Sequence, residues 1–336
     1  MKFSKKNKTI SMKNLMLAIA TVLFSACVST GNKSELAEQQ DLFFADPTIF
    51  CWDGTYYLYG TAGNIGDSIL SADDGFLVYT STDLEKWEGP KGTNDGFALK
   101  KGDTYGTGKF WAPQVFHYKN KFYMAYTANG QIAIASADSP LGPFKQNELK
   151  PISTVSRQID PFVFLDDDGK AYMYHVRLLG ANRLFVAEMA EDLSSMDEST
   201  LTECIHAEAG TWEDTENAEW KVAEGPTVIK NEGKYYFFYS MNHFRSIDYA
   251  VGYAVADSPY GPWIKSPQNP IIDRHLVGQN GSGHGDLFFD SKGNIQYIFH
   301  IHFSDEKIAP RKTAIIQLKK NGEEFQAAPE TFRFIK

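Results

Sequence analysis

Cysteine is scarce in this 336-residue chain: the three, Cys27, Cys51 and Cys204, are too few for a disulfide-stapled scaffold. Charge is sparse as well, at 22% Asp, Glu, Lys and Arg, and it leans acidic, with 33 basic against 42 acidic side chains and a net charge of −9. No Lys/Arg cluster stands in the body of the chain, which argues against a nucleic-acid partner. No stretch carries a convincing helical period of apolar residues. There is no Gly-x-Ser-x-Gly elbow, no His-Glu-x-x-His and no cysteine pair at zinc spacing, so neither a serine-elbow hydrolase nor a zinc enzyme finds support. Residues 278–285 are glycine-rich, but no helix follows them to cradle a phosphate, and no organic cofactor is expected. What is abundant is apolar and aromatic matter: 43% hydrophobic residues, with 24 Phe, 17 Tyr and 6 Trp. That composition excludes disorder, collagen-like repeats and coiled coil, and it supplies a large core.

The first 26 residues stand apart from the rest. Residues 1–13 carry five lysines and no acid, residues 15–24 form a short apolar run, and Ser25-Ala26-Cys27 follows. Basic, then apolar, then small is the order of a secretory signal. Cys27 after Phe24-Ser25-Ala26 resembles a bacterial lipobox, in which the cysteine is lipidated and becomes the new N-terminus. The expectation is a signal peptide over 1–26, a lipidated polar tether over 27–43 and one domain over 44–336. Contact with a membrane would then run only through the lipid on Cys27, placing the protein at the bacterial outer membrane, on its periplasmic or outer face, as a monomer.

An internal repeat sets the architecture. Residues 48–57, 115–123, 163–172, 228–236 and 287–297 each read as an apolar strand, a turn with Gly or Asn, and a second strand rich in Tyr and Phe. Tyr57, Tyr123, Tyr172, Tyr236 and Tyr297 occupy one register. Five all-β units of about 60 residues predict a five-bladed β-propeller, four strands to a blade around a central channel.

The repeat also nominates a site. Just ahead of each hairpin stand Asp46-Pro47, Trp111-Ala112-Pro113, Asp160-Pro161, Glu224-Gly225-Pro226 and His284-Gly285-Asp286. A lone Asp-Pro is a common turn starter. Acids recurring at one register of a propeller instead converge on its axis. Carboxyls gathered in a cleft repel one another until one takes a proton, which is the arrangement acid/base chemistry needs. His300 and His302 alternate on one strand and could share a metal, or simply form a satisfied polar pair. Cys51 and Cys204 could pair in an oxidising compartment. The acidic loop over 197–221, with Trp212 and Trp220, lies just ahead of Glu224 and is a candidate wall for the site.

Taken in order, Ala45-Asp46-Pro47, Phe110-Trp111-Ala112-Pro113, Ile159-Asp160-Pro161-Phe162, Glu224-Gly225-Pro226 and Gly281-Ser282-Gly283-His284-Gly285 resemble glycoside hydrolase family 43 over roughly residues 43–318. The resemblance implies a five-bladed propeller that cleaves arabinose-, xylose- or galactose-containing plant polysaccharides with inversion. It implies Asp46 as general base, Glu224 as general acid, and Asp160 as the carboxylate that raises the acid's pKa and orients it. It implies substrate contacts from Trp111, His284 and Arg311, and a structural calcium ion at the axis, held at His284 through water. The repeats run out at the fifth blade, without the additional β-sandwich of many β-xylosidases in that family. This tips the expectation toward an α-L-arabinofuranosidase. β-Xylosidase, endo-arabinanase and galactan-acting exo-glycosidase stand as alternatives, and a non-catalytic carbohydrate-binding lipoprotein as the reading from another class.

Overall fold

The computed structural model describes residues 41–65 and 68–336. The signal over 1–26 and nearly all of the tether over 27–43, Cys27 included, lie outside the described residues. The body is a five-bladed β-propeller. Its innermost strands are Phe44–Trp52, Trp111–Tyr118, Gln158–Leu165, Ala223–Asn231 and Gly283–Phe289. Each pairs antiparallel with the next strand in sequence, in the register that the tyrosines mark: Phe50 opposite Tyr57, Phe116 opposite Tyr123, Phe164 opposite Tyr172, Ile229 opposite Tyr236 and Leu287 opposite Tyr297. The last three blades are four-stranded sheets. In the first two the outermost strand shrinks to single bridges, Thr80 to Glu88 and Ser136 to Lys145. Among the described residues helix is confined to Arg274–Val277 and one 3-10 turn, Glu198–Thr200.

The aromatic wealth of the chain goes into the seams between blades. Side chains alternate across a strand, so each blade faces two neighbours. Tyr236 and Phe238 pack toward the fifth blade with Tyr297 and Phe325, while Phe237 and Tyr239 pack toward the third with Tyr174 and Val186. Five buried apolar clusters fill the five seams. The seam between the fifth and first blades is closed by a short segment of backbone. Leu42 N–H donates to Ile335 O at 3.1 Å, Thr313 N–H donates to Leu42 O at 3.2 Å, and Phe44 N–H donates to Thr313 Oγ1 at 2.9 Å. Cys51 is exposed in the first blade and Cys204 half-buried in the third, and both are free thiols.

Candidate active site

Every innermost strand breaks its register at the same place. The shifts fall between Ala45 and Thr48, Trp111 and Gln114, Ile159 and Phe162, Glu224 and Thr227, and Gly283 and Gly285. The residue at each break has positive φ: Asp46 (47°), Ala112 (45°), Asp160 (55°), Gly225 (62°) and His284 (44°). A β-bulge of this kind re-aims a side chain out of the sheet. Non-glycine residues seldom adopt this conformation, and strain held at four of the five positions marks a functional centre. Glu224 therefore sits one position ahead of the bulge, at the register of Trp111 and Ile159 rather than that of Asp46 and Asp160. Its bulge position is glycine of necessity, since a Cβ on Gly225 would come within 2.9 Å of the His284 ring.

The bulges are held by the neighbouring blade. Ala112 N–H donates to Thr61 Oγ1 at 2.8 Å, Asp160 N–H to Thr127 Oγ1 at 2.9 Å, His284 N–H to Ser240 Oγ at 2.8 Å, and Asp46 N–H to His300 Nδ1 at 3.1 Å. Thr61, Thr127, Ser240 and His300 lie opposite Ala45, Trp111, Glu224 and Gly283 on the second strands of their blades. The third blade has Val176 at that position, which can accept nothing. The N–H of Gly225 turns to the carboxyl of Asp160 instead. The one broken link in the ring thus joins two neighbouring acid-bearing strands.

Asp46, Asp160, Glu224, His284, Trp111 and Arg311 all line one cavity of about 210 Å³, joined by Ile159 and Phe244. The three acids and the three nominated substrate contacts are therefore brought to one place. Asp46 meets the Arg311 guanidinium at 3.1 Å, and the His284 Nδ1 stands 3.4 Å from Asp46 and 3.9 Å from Asp160. Thr61 Oγ1 donates to the second Asp46 oxygen at 2.6 Å. Arg311 in turn lies over the Phe244 ring, 4.8 Å from its centroid.

These surroundings drive the three acids apart. Burial pushes the Asp46 carboxyl up, but Arg311, His284 and His300 outweigh it and hold the group well below the usual carboxylate range. Burial pushes Glu224 up to about 7, against the opposing Tyr249 hydrogen bond and with the charge of Asp46 in support. Asp160 is raised well above its ordinary value, first by burial and then by the charge of Glu224. Burial thus does much of what the sequence reading assigned to Asp160, and it raises Asp160 itself as well. The cavity thus sets one carboxyl on the first blade that favours its ionised form against two on the third and fourth blades that favour their protonated forms.

A cavity with one carboxyl held ionised and another biased toward its protonated form, on different blades, is suited to protonating one oxygen while activating a water for attack. A family model described as glycosyl hydrolases family 43 matches residues 40–322. The chain belongs to glycoside hydrolase family 43. A curated xylosidase/arabinosidase of Bacteroides ovatus is 28% identical to this family 43 glycosidase over 77% of the chain and 85% of its own length. An arabinoxylan arabinofuranohydrolase of Paenibacillus polymyxa is 27% identical over 80% of the chain, which spans about half the length of that relative, 46%. A crystal structure from Bacteroides thetaiotaomicron, described as an endo-1,4-β-xylanase, superposes with a TM-score of 0.79 at 38% identity, covering 88% of this chain and 97% of the other.

Some cavity and hydrogen-bond partners in this family 43 hydrolase carried no sequence signal. Phe244 comes from a loop after the second strand of the fourth blade, and Tyr249 OH donates to Glu224 Oε1 at 2.8 Å from the same loop. His300 and His302 serve as polar partners: His300 faces Asp46, and a His302 ring nitrogen lies 2.9 Å from Phe244 O. Among the described residues no three His, Cys, Asp or Glu side chains are grouped to hold a metal. Of the two loop tryptophans, Trp212 stacks on Tyr239 in the fourth blade, whereas Trp220 reaches the surroundings of Glu224.

Proposed function

We propose that this family 43 enzyme is an inverting exo-glycosidase that releases single terminal pentoses, α-L-arabinofuranose foremost, from xylan- or arabinoxylan-derived chains. The observation that carries this is the cavity itself. At about 210 Å³ it is smaller than a drug-sized site of roughly 300–1,000 Å³ and suits one sugar ring. Asp46, ionised and braced by Arg311, takes a proton from water. Glu224, raised to about 7 and so mostly protonated below neutral pH, gives its proton to the leaving oxygen. Asp160 lies against both His284 and the Gly225 backbone and orients the acid's strand. A β-xylosidase is the second reading, supported by the 27% identical β-xylosidase of Xylanibacter ruminicola. Proton NMR of the first product from aryl arabinofuranoside and aryl xyloside tests both: inversion with preference for arabinofuranoside is expected. Retention of anomeric configuration would overturn the mechanism, and preference for xyloside the first assignment.

Asp160→Asn tests the protonation of the third acid. A neutral carboxyl exchanged for a neutral amide is expected to leave the alkaline limb of the pH–rate profile within about half a unit of wild type. A fall of a unit or more would mean that Asp160 is ionised when Glu224 titrates.

Calcium belongs to the same proposal. A void of about 20 Å³ lies along the axis, lined by His284, Asp160 and Asp286, and it has room for about one water. One Asp160 oxygen is buried without a hydrogen-bond partner among the described residues, and the half-buried Asp286 accepts from Thr48, Thr227 and the Leu287 N–H. Asp160, Asp286 and His284 are the residues that would hold such an ion, in a structural role, although among the described residues no three side chains stand ready as its ligands. Elemental analysis after dialysis against calcium is the check, and an empty result removes the ion. A lipid on Cys27 is proposed on the lipobox alone, and partition of a Cys27→Ser variant with the soluble fraction is its test.

A further inference from the structure

Glu224 receives a second hydrogen bond, to which the reaction scheme above gives no role. Asn182 Nδ2 donates to Glu224 Oε2 at 3.2 Å, while Tyr249 serves Oε1. Asn182 opens the strand Asn182–Glu188 of the third blade, and its own N–H donates to Lys221 O at 2.9 Å. The amide is therefore tied to the chain just ahead of Glu224. Its orientation is fixed by a third residue: Trp220 Nε1–H donates to Asn182 Oδ1 at 2.9 Å. An indole N–H can only donate. The amide oxygen must face Trp220, and the NH₂ must face the acid.

That orientation is unfavourable to the ground state and favourable to the reaction. A protonated carboxyl seeks an acceptor for its hydrogen, and the amide offers only donors. In the inverting step the bond from the anomeric carbon to the leaving oxygen breaks, and its electron pair stays on that oxygen. The leaving oxygen takes the Glu224 proton, while water bonds to the anomeric carbon and yields a proton to Asp46. Negative charge thus passes from Asp46 on the first blade to Glu224 on the fourth. Asp46 has Arg311 in contact, at 3.1 Å. Glu224 has hydrogen-bond donors in contact instead. The Asn182 contact becomes charge-assisted as the proton leaves, and such bonds are roughly twice as strong as neutral ones. A contact that strengthens along the reaction lowers its barrier.

We propose that Asn182, held in one orientation by Trp220, is a positioning residue that stabilises the carboxylate forming on Glu224 as its proton passes to the leaving oxygen. This rests on Glu224 being the general acid. The other groups acting on Glu224 are Asp46 from the first blade, Asp160 from the third, Tyr249 from the fourth and Arg311 from the fifth. None of them can replace a neutral donor at Oε2.

The test is the purified enzyme with aryl and alkyl glycosides of graded leaving-group pKa. Asn182→Ala is expected to lower kcat on alkyl glycosides about 10- to 100-fold with KM nearly unchanged, and on nitrophenyl glycosides only a few-fold. Its alkaline limb moves to higher pH, because a donor to the ionised acid has been removed. Trp220→Phe frees the amide to turn and gives a smaller effect of the same sign. The double variant is no worse than Asn182→Ala alone, since both act through one contact. Equal losses across all leaving groups, a limb that stays or falls, or additive effects would overturn the proposal. Glu224→Gln in the same panel separates the two readings. If it spares only good leaving groups while Asn182→Ala does not, the acid stands and the role of Asn182 falls. If Glu224→Gln shows no leaving-group dependence, the assignment of the acid falls first.

Discussion

Glu224→Gln is expected to cut kcat/KM on natural glycosides by about 10⁴-fold, the upper end of what a positioned acid supplies. Such a loss corresponds to about 5.5 kcal/mol of transition-state stabilisation. The amide keeps the shape of the side chain and cannot release a proton. A nitrophenolate departs without help, so nitrophenyl glycosides should lose far less, about tenfold. The wild-type rate should fall as pH rises through about 7, where the buried Glu224 gives up its proton. In the variant that alkaline limb should disappear. Full initial-rate profiles on both substrate classes supply the measurement. Equal losses on the two would take the acid's role away from Glu224.

Asp46→Asn should be as damaging, and a good leaving group should not rescue it. Water still needs a base when the leaving group is nitrophenolate, so kcat on both classes should fall by about 10³- to 10⁴-fold. The acid limb carries the diagnostic. Burial raises this carboxyl, but Arg311, His284 and His300 more than offset that and hold it well below the ordinary range. The wild-type base therefore stays ionised into strongly acidic solution, and the profile should be broad on that side. Turnover by Asp46→Asn near the wild-type rate would remove the base from the first blade. External azide should not restore either variant well, because an inverting route passes through no covalent glycosyl-enzyme.

The fold was legible because it repeats. One Tyr-rich hairpin is weak evidence, but five at one register leave little besides a propeller. The bulge residues were legible for the same reason: Asp46 and Asp160 each precede proline, and their places recur. Glu224 was legible as a residue but not as a position. Only the backbone reveals that Gly225 takes the bulge and that the acid projects from the step before it. Asn182, Tyr249 and Phe244 left no such mark, since they lie outside the repeated motif and reach Glu224 or its cavity through blade packing. The effect of burial on Glu224 was hidden too, because the sequence shows charges in order and not the volume that closes around them. His300 is the reverse case: its type drew attention, and the structure gives it the backbone N–H of Asp46 as a partner.

The seam that closes the ring has a consequence for timing. Asp46 lies 265 residues before the Arg311 that braces it and 254 before the His300 that caps its bulge. A ribosome adding about 5–20 residues per second needs roughly 15–50 seconds to cover that interval. Whatever forms earlier, Asp46 remains an unbraced carboxyl on an open edge until the fifth blade is in place. Leu42 finds Thr313 and Ile335 only when the last strands arrive. Asp46, the proposed base, is thus among the first groups of the body to be synthesised and the last to meet its partners, so hydrolysis is expected only once the strands that carry His300 and Arg311 are in place.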